Sequence, residues 1–114
     1  MAQSTERIFK EILQVEMLEN VRIDAAEKAA IIHAIKDLDE DVYMFGSRLD
    51  KLKRGGDIDL LIYSSQNGLE LSEKVSRRFF MECEEKIDVI VFDKDNLTKE
   101  QKAFVNTLKT LRIK

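Results

Sequence analysis

The segment Ile58-Asp59-Leu60-Leu61-Ile62-Tyr63 recurs almost residue for residue as Ile87-Asp88-Val89-Ile90-Val91-Phe92. Few folds accommodate that pair. Each run is apolar and rich in branched or aromatic side chains, the composition of a buried strand. Residues 69–85 between them carry a helical pattern, so the unit reads strand, helix, strand, with parallel strands and a right-handed crossover. Parallel neighbours begin at the same edge of a sheet. Asp59 and Asp88 each hold the second position of their run and are expected side by side at that edge.

A third apolar run, residues 42–45, ends at Gly46-Ser47, and nine residues (48–56) separate Ser47 from Asp57. Nine are too few for a helical crossover, so this strand is expected antiparallel to the one that follows. Ser47 and Asp57 then share the edge. Residues two apart on a strand share a face, which places Asp57 with Asp59. Three carboxylates, Asp57, Asp59 and Asp88, are thus expected to converge beside Ser47, and like charges so placed call for a cation. Oxygen donors suit magnesium, which keeps several waters and bridges carboxylates to phosphates. Two ions about 3.5–4 Å apart would serve both the attacking and the leaving oxygen of an in-line displacement. Gly46 and Ser47 are candidates to hold the β- and γ-phosphates of a triphosphate, helped by Arg48, Lys51, Lys53 and Arg54. Gly55 and Gly56 would let the backbone pass close by. Asp88 is the candidate base for the attacking hydroxyl.

At these residues the chain resembles the nucleotidyltransferase superfamily that includes DNA polymerase beta, whose signature is Gly-Ser, a spacer, Asp-x-Asp and a later third Asp. The similarity is closest to the minimal nucleotidyltransferases (MNT), short chains like those that act as antitoxins beside HEPN ribonuclease toxins. It covers residues 42–92 well and the outer helices by general pattern. The resemblance implies an α/β (α+β) fold, a small mixed β-sheet with helices packed against it. It also implies roles: Gly46 and Ser47 hold the triphosphate, Asp57 and Asp59 bind metal, and Asp88 is the third ligand and base.

A chain of 114 residues is read as one domain, 1–114, with no room for a separate acceptor-binding domain. The acceptor is therefore expected to be another molecule. A formal net charge of −3 argues against a grip on long nucleic acid. The sequence contains no run long enough for a membrane span and no signal-peptide pattern at its start, so a cytoplasmic location is expected. One cysteine excludes an internal disulfide.

Helices are expected over about 5–19, 25–38 and 98–112 besides the crossover helix. The first carries a wide apolar arc (Ile8, Phe9, Ile12, Leu13, Val15) that allows a partner subunit or a homo-oligomer. The second opens with Asp24 and Glu27 in capping-box spacing and stacks Ile31, Ile35 and Leu38. Leu71, Val75, Phe79 and Cys83 line the crossover helix, and Phe104, Leu108 and Leu111 the last. Cys83 reads as a small core side chain rather than a nucleophile, and His33 as a surface residue without a role. Arg77 and Arg78 read as a solvated face beside an exposed Phe80 and Met81.

The function these readings favour is magnesium-dependent transfer of a nucleoside monophosphate, by resemblance AMP from ATP, to a hydroxyl of a HEPN-type helical partner. One alternative is a binding module that neutralises that partner by contact over a vestigial site. The other is transfer to a small molecule such as an antibiotic, which needs an acceptor pocket.

Overall fold

Helix α1 (Ala25–Ile35) starts where its sequence supplies a reciprocal cap. The Glu27 N–H donates to the Asp24 carboxylate at 2.7 Å, and the Asp24 N–H donates to the Glu27 carboxylate at 3.0 Å. The computed structural model describes Leu18 and residues 21–114, so the helix expected over 5–19 lies outside the described residues except for Leu18. α1 is shorter than expected, with Lys36 as its C-cap. Leu38 sits in the turn beyond, still buried with Ile31 and Ile35, so the apolar stripe outlasts the helix.

The remaining elements are β1 (Asp41–Phe45), β2 (Asp59–Tyr63), α2 (Gly68–Cys83), β3 (Asp88–Phe92), α3 (Lys99–Thr107) and β4 (Thr110–Arg112). The four strands form one mixed sheet in the order β3-β2-β1-β4. β1 runs antiparallel to β2, with Phe45 opposite Asp59, and β2 runs parallel to β3, with Asp59 opposite Asp88. The side-chain period of two then sorts the sheet. Val42, Met44, Leu60 and Ile62 enter the core with Ile31 and Ile35 of α1 and Leu71, Val75 and Phe79 of α2. Each large side chain so buried contributes about 1.5–3 kcal/mol. Tyr43, Phe45, Tyr63 and Phe92 occupy alternate positions in the same ladders. Phe104 of α3 meets Phe45 and Phe92 edge-on, with ring centroids 6.1 and 6.2 Å away.

Helix α2 is capped by Asn67, whose side chain accepts from the Glu70 N–H, and ends at Glu84 in the left-handed region (φ 53°). Its stop comes two residues before the expected one. A larger correction concerns the C-terminus. The helix expected over 98–112 ends at Thr107, and Thr110–Arg112 pair with β1 instead. β1 would otherwise leave an unpaired edge, and alternation of Leu111 and Ile113 with Thr110 and Arg112 suits a strand. Ile113 is fully buried and its N–H donates to the Val42 carbonyl at 2.8 Å. The spacing of Phe104, Leu108 and Leu111 therefore joins a helix, a linker and a strand. Phe104 itself stays partly exposed rather than joining a core stripe. Among the described residues no helix is long and apolar enough to cross a membrane.

Candidate active site

The register of β2 and β3 builds the acidic centre. Asp59 and Asp88 are direct parallel neighbours at the start of their strands, so their carboxyls stand side by side at one edge of the sheet. Partial burial, then the charges of Asp88 and Asp57, push the Asp59 carboxyl above its ordinary value. Among the described residues no salt bridge reaches any of these three acids.

Asp57 stands differently. It lies outside the strand, exposed, on a loop whose preceding residues Gly55 and Gly56 both have positive φ (69° and 81°). Its charge reaches Asp59, but the expected tight convergence of three carboxylates is corrected to an adjacent pair with a nearby third. The three acids of the described residues whose ligand atoms all lie within 4.8 Å of one another are Asp24, Glu27 and Glu85, not the motif acids. Strand periodicity does not carry back to Asp57 because the ladder begins at Asp59.

The Gly-Ser turn packs onto the same centre. Gly46 has φ 85° and ψ −158°, a conformation essentially reserved for glycine, and a Cβ there would collide with an Asp59 carboxylate oxygen. A Cβ on Gly56 would strike the Ser47 hydroxyl. Ser47–Leu49 form a short 3-10 turn just past β1, closed by the Leu49 N–H donating to the Gly46 carbonyl at 3.2 Å. Gly46 and Ser47 thus lie within van der Waals reach of the strand acid and of the loop that carries Asp57.

Arg48, expected beside the phosphates, is held by contacts within the protein. Its guanidinium pairs with Glu27 at 3.0 Å, and also donates to the Arg22 carbonyl and the Gly56 carbonyl, both at 2.9 Å. Lys51, Lys53 and Arg54 remain exposed. Burial raises the Glu27 carboxyl, but the backbone N–H of Asp24 and the hydrogen bond and charge of Arg48 outweigh it and hold the group below its usual value. Sequence reasoning gave Glu27 a capping role alone. Its partnership with Arg48, 21 residues away, had no local signal.

Residues 28–112 match the model of the nucleotidyltransferase domain. The chain belongs to the nucleotidyltransferase domain family. The matched span takes in the Gly-Ser turn, all three acids and every strand of the sheet, and its fold is that of the polymerase beta-like nucleotidyltransferases. No curated protein matches the chain. For this nucleotidyltransferase domain the donor set fits a hard divalent cation: oxygen ligands only, of like charge, with no salt bridge to any of them among the described residues.

Other candidates fall into place around the site. Cys83 is half-buried against the core, and burial, then the charge of Glu85, raises its thiol, which agrees with a packing role. His33 is half-exposed and sits 3.6 Å from Glu82. Arg78 bridges to Asp37 at 3.4 Å rather than standing free, whereas Arg77, Phe80 and Met81 are exposed as expected.

Proposed function

We propose that this nucleotidyltransferase moves a nucleoside monophosphate, AMP from ATP, onto a hydroxyl of a helical HEPN-type partner protein in the cytoplasm, as the antitoxin of a toxin–antitoxin pair. The observation that carries the transfer is the Asp59–Asp88 pair in register, flanked by Asp57 and packed against Gly46-Ser47. The partner and the antitoxin role rest on the resemblance to the minimal nucleotidyltransferases.

Asp57, Asp59 and Asp88 would hold magnesium, which when bound offsets phosphate charge and stabilises the departing pyrophosphate. Gly46 and Ser47 orient the triphosphate through backbone N–H groups and the Ser47 hydroxyl, with Lys51, Lys53 and Arg54 supplying positive charge. The acceptor oxygen attacks the α-phosphorus, its proton passes to the Asp88 carboxylate, and the bond from the α-phosphorus to the bridging oxygen breaks to release pyrophosphate. Asp88 is exposed, so an acceptor on another molecule can reach it.

Incubation with labelled ATP, magnesium and the product of the neighbouring gene is expected to label that product, and the Asp57→Asn, Asp59→Asn double variant to abolish labelling. Undiminished labelling by the double variant would overturn the mechanism. Protection of cells by the same variant would favour neutralisation by contact.

A further inference from the structure

Two arginines far apart in sequence reach two consecutive glycines. Arg22 donates through Nη2 to the Gly55 carbonyl, and Arg48 donates through Nε to the Gly56 carbonyl at 2.9 Å. The arginines are also tied to one another: the Arg22 N–H donates to the Arg48 carbonyl at 2.8 Å, and Arg48 Nη1 donates to the Arg22 carbonyl at 2.9 Å. The anchor is Glu27, 3% exposed and fixed in the first turn of α1, which receives Nη1 at 3.1 Å and Nη2 at 3.0 Å. Gly55 and Gly56 have no side chains with which to hold themselves, and both occupy positive φ. Asp57 is the next residue, and the Ser47 hydroxyl rests where a Gly56 Cβ would be.

We infer that Glu27 and Arg48 are positioning residues of the transfer site, transmitting the fixed place of α1 to the Gly55-Gly56 hinge and so holding Asp57 and Ser47 against the strand-borne pair Asp59 and Asp88. The inference rests on the reading of these acids as the transfer site. A planar fork is required because one side chain must reach a carboxylate and two carbonyls at once, and an ammonium on a flexible stem lacks that geometry. Mere neutralisation of a buried Glu27 would need only the charge. Arg48→Lys separates the two roles, since it keeps the charge and loses the fork.

The test uses the full chain and three measurements: denaturant stability, backbone 15N order parameters at residues 55–57, and calorimetric affinity for Mn²⁺ alone. Arg48→Lys is expected to remain folded while order parameters at 55–57 fall from about 0.85 to below about 0.6. Mn²⁺ affinity is expected to drop about tenfold, as when groups that orient metal ligands are removed. The double variant Glu27→Gln, Arg48→Met leaves no buried charge, and it is expected to fold and show the same two losses. Wild-type order parameters and Mn²⁺ affinity in either folded variant would overturn the positioning role. A wild-type chain that labels no partner overturns the transfer reading instead, and the order parameters still decide the role of Glu27 and Arg48.

Discussion

Glu27 and Asp59 are both carboxylates withdrawn from water, and the fold treats them in opposite ways. Glu27 receives a backbone N–H and a forked arginine, which hold its proton affinity down despite burial. Partial burial, and after it the charges of two further acids, drives the proton affinity of Asp59 up. The first arrangement is self-contained. The second is left with repulsion that a cation from outside would relieve, which makes it the functional-site candidate of the two. The two lie close in the fold because Arg48, the cation that satisfies Glu27, directly follows the Ser47 that packs beside the acids.

Breaking the unrelieved side should have the largest effect. The Asp57→Asn, Asp59→Asn change is expected to lower transfer at least about a thousandfold, read as label incorporated into the partner, while leaving the chain folded. Breaking the satisfied side should cost stability instead. Arg48→Met strands a buried carboxylate and is expected to destabilise by about 3–5 kcal/mol in urea unfolding, with most of the loss recovered when Glu27→Gln is added. A smaller effect tests the seam between the two. Gly46→Ala forces a side chain into a glycine-only conformation and against Asp59, at a cost of about 1–3 kcal/mol. It should also weaken Mn²⁺ binding, measured by calorimetry.

The smallest effect is a contrast in pH dependence. A raised folded-state value means that the native state holds the Asp59 proton longer, so its contribution falls as pH rises through and above 3.8, the unperturbed value. Asp59→Asn is therefore expected to stabilise the protein at neutral pH and to lose that advantage below the carboxylate range. Glu27 has the opposite sign: its contribution is present above 4.5 and is lost as pH falls through its lowered native value. Urea midpoints of Asp59→Asn and Glu27→Gln followed from pH 3 to 7 should move in opposite directions relative to wild type. Parallel movement would remove the contrast.

Much of this architecture was legible because its signals are local. The repeated Ile-Asp-apolar runs predicted β2 and β3, their parallel pairing and the adjacency of Asp59 and Asp88, since strand period and a helical crossover suffice for both. The Asp24 cap and the buried faces of α1 and α2 followed from spacing alone. β4 did not, because three residues carry too short a pattern to compete with a helical spacing inherited from Phe104. Their strand state comes from the open edge of β1.

The sequence by itself singled out the candidate residues for the chemistry: a Gly-Ser turn and three acids set on or beside predicted strands, within a family pattern. Only the tertiary structure decided how each is used. It made Asp59 and Asp88 neighbours in register, left Asp57 on a loop held through the Gly55-Gly56 hinge, and turned Arg48 inward to Glu27. Periodicity specifies which face a side chain takes within one element. The partner of a long, charged side chain depends on what the rest of the chain brings within reach, and Glu27 arrives from 21 residues away.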